Sequence, residues 1–487
     1  MDDRHDGEGG SEPRVSSRRR FIHRSASAAA GAAVLATTAR SYARILGAND
    51  RIQIGQIGCS DRAFGLREML KETAETFDAN FDVRSVCDIW SVNREKGASH
   101  AEKLFGRRPS TYKYSEEMLA DKELDAVMVA TGDHQHARIL AEVARAGKDA
   151  YCEKPMANTL EDAKLARDAV SESGCIAQMG SQWLSCPYQQ RVREIIRSGR
   201  LGRITKIEQS WNFNGPRWRL PRDPDIAAIR QEDTDWERWL LGRPWRPFDP
   251  RVYFEFRIYK DFSGGITDQW YSHGSGLAHF YLDRFIPDDT VASGGIFAWH
   301  DGRENPDTFQ CLSTFREEEV LYSYCSSYGN SHGDHTVIRG THGTLYSPGG
   351  EGSPRWYFVP ETRSAWRSNV QFDRGTTTDP KPELVTPPGR EGEEPPVSQD
   401  DNIKAHTDNW LACLRSRKTP NGSIESGFAH SVAVVMATRS YREGKKLFWD
   451  REKEEIVERE PAEVSASPTP PARASRAARA SSSRGDR

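Results

Sequence analysis

The alternation of short apolar strands with helices in the first part of the chain is the feature that most constrains its fold. Apolar segments predict strands at 51–57, 83–86, 126–130, 149–152 and 175–179, and helix-spaced apolar residues predict helices at 63–77, 136–146 and 159–171. Strands separated by helices of about 10–15 residues indicate βαβ units, and therefore an α/β fold with a doubly wound parallel sheet. Ligands of such sheets bind beyond the carboxyl ends of the strands, so function is expected in the turns that follow them.

The pattern changes after residue 181, which predicts a second domain. Short aromatic-rich segments predict strands at 204–211, 295–299, 308–315, 320–327 and 343–346, followed by an irregular excursion at 350–399 and helices at 403–416 and 426–444. Because the βαβ rhythm is absent, these strands are expected to form an antiparallel sheet. The predicted domains are therefore 49–180 and 181–456, flanked by an N-terminal segment 1–48 and a tail 457–487.

The two ends are predicted to lie outside the folded domains. Arg18 and Arg19 precede Phe21-Ile22 and a mildly apolar run over 25–39, a pattern that resembles a twin-arginine (Tat) export signal. The alternative is a disordered basic arm. Residues 461–487 are almost entirely Ala, Ser, Pro and Arg and predict a solvated tail. The export signal predicts a periplasmic or otherwise exported protein.

Charge and cysteine usage exclude several classes of protein. The 487 residues carry 68 Lys and Arg against 71 Asp and Glu, so no global basic charge points to nucleic acid. The longest apolar run is shorter than the roughly 20 residues that a membrane span needs. The 8 cysteines include no C-x-x-C pair, which argues against a structural zinc site or a redox dithiol. No metal site is predicted from the remaining side chains.

The turn after the first predicted strand resembles part of a dinucleotide-binding fingerprint. In G-x-G-x-x-G/A the first glycine makes the tight turn, the second admits the pyrophosphate, and the small third residue lets the helix pack. Gly58 and Ala63 fit the first and third positions, whereas Ser60 replaces the second glycine. The whole turn comprises Gly58, Cys59, Ser60, Asp61, Arg62 and Ala63. A structural strand–turn–helix is the alternative.

Asp88 closes the next predicted strand and strengthens the nucleotide hypothesis. A carboxylate at this position accepts hydrogen bonds from a ribose diol and repels a 2′-phosphate. The spacing from Gly58 is longer than the usual value of about 20 residues, which the intervening helix and loop can absorb. The residue favours NAD and leaves NADP as the alternative.

Two further turns carry candidate functional side chains. The first contains Thr131, His134 and His136, and the second is Glu153-Lys154-Pro155. The histidines could equally be capping or surface residues, and Lys154 a solvated lysine. A lysine held between a strand end and a proline, beside a cationic nicotinamide, would instead have a lowered pKa and could move protons.

With these motifs the sequence resembles the Gfo/Idh/MocA family of NAD(P)-dependent oxidoreductases over about residues 50–456. The resemblance implies a Rossmann domain followed by an α+β domain with a large open antiparallel sheet, which supplies the substrate site and often an oligomer interface. It implies that the listed turn residues bind the cofactor and that Lys154 and His273, with Asp268 as a third candidate, are catalytic. Candidate substrate contacts are Gln182, Trp183, Arg257, Trp270 and His273. The two tryptophans are included because indole faces stack on sugar rings.

The sequence departs from the family pattern at three points. Ser60 and Gly132 stand where the family commonly has glycine and proline. The catalytic Asp and His of the family are usually four residues apart, whereas Asp268 and His273 are five apart. Residues i and i+5 diverge by about 140° on an α-helix, so a local bulge or a different contact is needed. The alternatives are that Asp268 caps the helix and that His273 is a core or surface histidine.

The resemblance implies an exported oxidoreductase that moves hydride between a sugar or polyol and a tightly bound nicotinamide cofactor. One alternative is a glycoside hydrolase that oxidises its substrate transiently, and another is a non-catalytic sugar-binding protein. The expected partners are a small carbohydrate and further copies of the chain in a homo-oligomer, with neither nucleic acid nor a membrane span.

Overall fold

A computed structural model describes residues 51–76, 80–220, 224–284, 286–350, 352–361, 381–386 and 399–461. The predicted export signal and most of the predicted C-terminal tail lie outside these residues. Among the described helices, none combines the length and apolar character that crossing a membrane requires.

The first part of the chain forms the predicted parallel sheet. Its six strands are β1 (Ile52–Ile57), β2 (Phe81–Cys87), β3 (Ser110–Tyr112), β4 (Ala126–Val129), β5 (Asp149–Cys152) and β6 (Ala177–Met179). They lie in the order β3-β2-β1-β4-β5-β6, and every pair is parallel. The helices that connect them are α1 (Asp61–Thr76), α2 (Ser91–Phe105), α3 (Ser115–Leu119), α4 (His136–Arg145) and α5 (Leu160–Ser173). This is the strand order of a Rossmann fold, and it confirms the predicted class.

Helix α2 and strand β3 were not predicted from the sequence, and their packing explains why. The buried face of α2 consists of Asn93, Gly97, Ala98 and Ala101, which carry little apolar periodicity. Gly97 is needed because a Cβ atom there would lie 2.7 Å from the Cys59 sulfur. Close approach of α2 to the β1 turn therefore replaces large apolar contacts.

The second sheet has ten strands and is mixed rather than purely antiparallel. Its members are β7 (Ile204–Ser210), β9 (Asp289–Gly295), β10 (Thr308–Phe315), β11 (Val320–Ser327), β13 (His335–Gly340), β14 (Gly343–Ser347), β15 (Tyr357–Pro360), β16 (Glu383–Leu384), β17 (Leu447–Asp450) and β18 (Glu455–Val457). They lie in the order β16-β15-β14-β13-β7-β11-β10-β9-β17-β18. Strand β7 pairs in parallel with β11 and antiparallel with β13, so the parallel pair corrects the expected antiparallel sheet. A separate two-stranded ribbon joins β8 (Phe213–Asn214) to β12 (Gly329–Asn330).

The strand predicted at 295–299 is wrong in its position. The strand in this region is β9, which ends at Gly295. The backbone N–H groups of residues 297–299 donate instead to the Asp307 carboxylate, at 2.7–2.9 Å. The carboxylate thus accepts the hydrogen bonds that these N–H groups would otherwise have to donate to a neighbouring strand.

The C-terminal helices join the two sheets. The helices are α11 (Gln399–Ser416) and α12 (Ile424–Glu443), close to the predicted bounds. Phe428 and Val432 of α12 share a core with Rossmann residues, while Ala433 and Ala437 belong to the core of the second sheet. The remaining helices are α6 (Pro187–Arg197), α7 (Pro224–Ala228), α8 (Trp236–Leu240), α9 (Pro250–Phe254) and α10 (Ser272–Leu282).

Residues 211–220 and 224–262 run from the second sheet to the carboxyl edge of the first, and we refer to them as the covering segment. Their own small core is formed by Trp236, Trp239, Leu240, Val252, Phe256 and Phe262. The carbonyl oxygen of Trp239 accepts from Gln135 Nε2 at 2.7 Å, and Tyr114 Oη donates to Asp235 Oδ2 at 3.1 Å. These contacts attach the covering segment to the carboxyl edge of the parallel sheet.

Candidate functional site

A cavity of about 1010 Å³ lies between the carboxyl edge of the parallel sheet and the covering segment. The turns after β1, β2, β4 and β5 form one wall, which we call the Rossmann wall. The covering segment, together with Gln269 and His273, forms the other, which we call the covering wall. The lining residues include Gly58, Ser60, Asp61, Arg62, Asp88, Thr131, Asp133, Gln135, His136, Glu153, Lys154, Gln182, residues 213–220, Trp239, Tyr253, Arg257, Gln269 and His273.

The turn after β1 brings the backbone close to the strand beside it. Gly58 has φ +87°, and a Cβ atom there would lie 2.3 Å from the carbonyl oxygen of Ala130. Only glycine fits this position. Ser60 borders the cavity where the fingerprint has its second glycine, and α1 begins at Asp61. A helix start of this kind offers backbone N–H groups to a phosphate. Cys59 and Ala63 are buried beneath the turn and do not line the cavity.

Asp88 lies at the end of β2, on the floor of the cavity. Its carboxylate accepts hydrogen bonds from the backbone N–H groups of Cys59 and Trp90, both at 2.9 Å. Burial raises the pKa of Asp88 to about 6, although these two hydrogen bonds oppose the shift. The group is therefore mainly ionised at pH 7 and can accept the hydroxyl groups of a ribose.

Lys154 projects from the end of β5 toward the covering wall. Its Nζ atom donates to the backbone oxygen of Gln269 at 2.5 Å and lies 3.4 Å from Gln269 Oε1. Burial lowers the pKa of Lys154 to about 8, and the positive charge of Arg257 adds to this, while Asp133 and Glu153 oppose it. A lysine with this pKa can exchange protons near neutral pH. The Lys154–Pro155 peptide bond is cis.

His273 lies in the same cavity, in the first turn of α10. Burial lowers its pKa well below the usual range, and the positive charge of Lys154 lowers it further. The imidazole is therefore neutral at physiological pH. Its Nδ1 atom is buried and has no hydrogen-bond partner among the described residues.

A π-helical turn at Thr267–Tyr271 supplies the local bulge that the five-residue spacing required. Nevertheless, Asp268 does not line the cavity. Its Oδ2 atom accepts from the backbone N–H of Gly264 at 2.7 Å, and burial together with the neighbouring Asp133 raises its pKa to about 7. The side chain that faces Lys154 is Gln269, four residues before His273. The geometry thus supports a structural role for Asp268 instead of the predicted catalytic one.

The remaining turn residues contact one another at the edge of the cavity. Arg62 Nε donates to Glu153 Oε1 at 2.6 Å, so these two residues form an ion pair at the cavity wall. The ring nitrogens of His136 lie 2.9 Å from the Pro155 carbonyl oxygen and 3.2 Å from that of Thr131, which ties the two turns together.

His134 is a core residue, contrary to its predicted contact with the cofactor. Its Nε2 atom lies 2.9 Å from the Trp239 carbonyl oxygen, and its ring packs edge-on against the indole with centroids 4.8 Å apart. Burial lowers its pKa to about 3. Pro155 also lies outside the cavity lining.

Of the predicted substrate contacts, Gln182, Arg257 and His273 line the cavity, whereas the two tryptophans do not. Trp270 stacks on Trp211 with ring centroids 5.0 Å apart, and Trp183 is only 3% exposed in the core of the second sheet. Large aromatic surfaces contribute most when buried, which explains why proximity in sequence was misleading here.

Asp133, Gln269 and residues 213–220 line the cavity but were not predicted from the sequence. Asp133 lies within a motif that was already recognised, so its position after β4 was an available signal. Gln269 could be found only by counting four residues back from His273. Residues 213–220 reach the site through the path of the chain after the second sheet begins, and no local sequence pattern encodes that path.

The residues present fit a dinucleotide. The Gly58 turn gives close backbone approach, the start of α1 suits the pyrophosphate, and Asp88 suits a ribose. Buried polar atoms of Thr131, Gln182 and His273 have no hydrogen-bond partner among the described residues, which indicates a ligand in the cavity. Over the same described ranges, no group of three or more His, Cys, Asp or Glu residues could hold a metal ion.

Comparisons with known proteins agree with this geometry. The profile of the Gfo/Idh/MocA oxidoreductase family, described by its NAD-binding Rossmann fold, matches residues 55–181. The chain is 28% identical over 193 residues to inositol 2-dehydrogenase 2 of Saccharopolyspora erythraea, an alignment that covers 39% of this chain and 54% of the relative. It is 34% identical over 168 residues to 1,5-anhydro-D-fructose reductase of Ensifer adhaerens, covering 32% and 49%. The chain thus spans about half the length of these curated relatives.

Solved structures match over nearly the whole length of their own chains. An oxidoreductase domain protein from Kribbella flavida has a TM-score of 0.62 at 18% identity and covers 81% of this chain and 98% of its own. A levoglucosan dehydrogenase in complex with NADH has a TM-score of 0.61 at 16% identity, with 81% and 98% covered. These likenesses show that both domains share the fold. Residues 55–181 thus match the NAD-binding Rossmann domain of the Gfo/Idh/MocA family of oxidoreductases.

Proposed function

We propose that the protein is an exported NAD-dependent oxidoreductase that transfers hydride between a hydroxyl-bearing carbon of a sugar or polyol and a tightly held nicotinamide cofactor. The observation that carries the proposal is the presence of Lys154 and His273 in one cavity with the Gly58 turn and Asp88. The names of the similar dehydrogenases and reductases support sugars or polyols as the substrate class. Asp88 favours NAD, with NADP as the alternative cofactor.

Each residue has a distinct part in this reaction. Asp88 binds the adenosine ribose, and the Gly58 turn with the start of α1 binds the pyrophosphate. The nicotinamide, when bound, takes up or returns the hydride. Neutral Lys154 accepts the substrate hydroxyl proton at Nζ as the carbon is oxidised, and returns it in the reverse direction. Neutral His273 hydrogen-bonds the same hydroxyl and orients it, and Gln182 and Arg257 contact the rest of the substrate.

The covering segment supports tight retention of the cofactor. Its contacts to the Rossmann wall include the Trp239 carbonyl with Gln135 and an ion pair between Lys96 and Asp225 at 2.5 Å. A dinucleotide in the cavity would lie beneath this segment, so these contacts would slow its release. Retention would let an enzyme outside the cytoplasm work by two successive half-reactions.

Retention also favours a second candidate function, a glycoside hydrolase that oxidises its substrate and then returns the hydride. The two functions are separated by incubating purified, cofactor-loaded protein with a panel of sugars, polyols and aryl glycosides. Reduced-nicotinamide absorbance and aglycone release are followed together. Absorbance change without release supports the oxidoreductase, and release without net absorbance change supports the hydrolase. A chain that binds neither NAD nor NADP would contradict both and favour a sugar-binding protein.

The proposed export rests on Arg18 and Arg19, which precede the described residues. Replacing both with lysine keeps the charge but removes the feature on which Tat recognition depends. We expect the variant to remain in the cytoplasm, as measured by cell fractionation and blotting. Undiminished exported protein would contradict the proposal.

We also propose that the protein is a homo-oligomer. Val291, Leu312 and Leu321 lie on neighbouring strands β9, β10 and β11 and are 37–40% exposed, so one face of the second sheet offers apolar surface. Light scattering after size exclusion should give a multiple of 54.9 kDa for the full chain. Leu312→Glu should shift it toward the monomer, and a wild-type monomer would contradict the proposal.

A further inference from the structure

Gln269 lies between the buried carboxylate of Asp133 and the half-buried ammonium of Lys154. Its Nε2 atom donates to Asp133 Oδ2 at 2.5 Å, while its backbone oxygen and Oε1 face Lys154 Nζ at 2.5 and 3.4 Å. Ser263 Oγ donates to the same Asp133 oxygen at 2.7 Å. The side-chain amide therefore donates to the carboxylate on one side, and the backbone oxygen, with Oε1 at longer range, accepts from the ammonium on the other.

This arrangement keeps Asp133 from pairing directly with Lys154. Among the described residues, the hydrogen bonds of Lys154 Nζ go to the two Gln269 oxygens, and no carboxylate lies within ion-pair distance. Asp133 is occupied by donors from Gln269 and Ser263. A carboxylate beside Lys154 would stabilise its protonated form and oppose loss of the proton. A neutral amide accepts a hydrogen bond from the ammonium without adding this negative charge.

Gln269, and not Asp268, shares a face with His273, because residues four apart lie on the same side of a helix. Gln269 and His273 both line the cavity, whereas Asp268 turns toward the backbone of Gly264. The acidic residue Asp268 is thus adjacent in sequence to Gln269, but its carboxylate does not contact Lys154.

We propose that Gln269 is the positioning residue of the proton-transfer site, whose neutral amide orients Lys154 toward the substrate and separates it from the Asp133 carboxylate. The inference rests on the proposed function. During substrate oxidation the O–H bond breaks and an N–H bond forms at Lys154 Nζ, while the C–H electron pair leaves as hydride to the nicotinamide. Reduction reverses both transfers, so protons and electrons balance within the bound pair.

The decisive variant exchanges the two groups, as Asp133→Asn combined with Gln269→Glu. Net charge and hydrogen-bonding capacity are conserved, but the carboxylate now faces Lys154. An opposite charge at this distance should raise the titration midpoint of Lys154 by about one to three pH units. Asp133→Asn alone should lower the midpoint, because it removes a negative charge that favours the ammonium.

The midpoint is measured in cofactor-free protein by reductive methylation across a pH series, with the Lys154 peptide quantified by mass spectrometry. The pH profile of kcat for the loaded enzyme provides the second readout and should move in the same direction. Asp82→Asn is the control, because Asp82 pairs with Arg107 at 2.7 Å and does not line the cavity, and it should leave the Lys154 midpoint unchanged. A mere packing role for Gln269 would predict that Gln269→Met, which keeps the side-chain size but removes the amide, leaves kcat and its pH profile unchanged, whereas a positioning role predicts a lower kcat.

Equal midpoints in the wild type and the exchanged variant, an equal shift in Asp82→Asn, or an unchanged kcat in Gln269→Met would overturn the inference. If the exchanged variant does not fold, Asp133→Asn alone decides, because an unchanged or raised midpoint contradicts the proposed arrangement. A shifted midpoint in a protein that oxidises no sugar or polyol would overturn the proposed function and leave the role of Gln269 intact. The two failures are therefore distinguishable.

Discussion

The two walls of the cavity are built in different ways. On the Rossmann wall, Gly58, Asp88 and Lys154 each follow a parallel strand, and the sheet alone brings them to one edge. On the covering wall, the lining residues come from irregular segments and a π-helical turn, fastened by contacts such as His134 with Trp239, 105 residues apart. The Rossmann wall thus carries the residues proposed to bind the cofactor, whereas Arg257 and His273 of the covering wall are proposed to contact the substrate.

The largest effect is expected from removing the proton carrier on the Rossmann wall. Lys154→Met keeps the length and packing of the stem, so fold and NAD binding should persist while turnover falls by about 10²–10⁴-fold. In the wild type, the rate of substrate oxidation should rise with pH through about 8, because Lys154 must be neutral to accept the proton. Steady-state kinetics across a pH series measure both effects. Lys122→Met, at an exposed position, is the control, and full activity in Lys154→Met would refute the mechanism.

A smaller loss is expected from Gly58→Ala. The new methyl group would clash with the Ala130 carbonyl oxygen at φ +87°, so unfolding free energy should fall by about 1–3 kcal/mol and NAD affinity should drop. Denaturant unfolding and calorimetric titration with NAD measure these quantities. Gly65→Ala is the matched control, since a Cβ atom there meets nothing within 4 Å and a helical alanine is more stable by up to about 1 kcal/mol. Equal behaviour of the two variants would contradict the close-approach argument.

Asp88→Ala tests cofactor choice on the same wall. Losing charge-assisted hydrogen bonds to the ribose should weaken NAD by about 1.5–3 kcal/mol and raise the relative affinity for NADP. Because the pKa of Asp88 is about 6, wild-type NAD affinity should also fall as pH drops below 6, and the variant should not show this dependence. Fluorescence titrations of both cofactors measure the ratio. Asp82→Ala on the same strand, where Asp82 pairs with Arg107 at 2.7 Å, should leave it unchanged.

The smallest expected effect concerns the covering wall. Tyr114→Phe removes the hydroxyl that donates to Asp235 Oδ2, a contact worth about 0.5–1.5 kcal/mol. We expect NAD to dissociate up to about tenfold faster, as measured by stopped-flow displacement. Tyr346→Phe on the second sheet serves as the control. An unchanged dissociation rate would mean that the covering segment does not retain the cofactor through this contact, and would weaken the contrast between the walls.

The sequence by itself determined the parallel sheet, the Gly58 turn, Asp88 and Lys154. These depend on periodicity over a few residues and on the rule that parallel strands present their carboxyl ends at one edge. The tertiary structure decided that His134, Trp183 and Trp270 are core residues, that Asp268 faces Gly264, and that Gln269 faces Lys154. The direction of a side chain in a π-helical turn, and the identity of the segment that covers a cavity, depend on burial and hydrogen bonds between residues more than 100 positions apart, which local pattern does not encode.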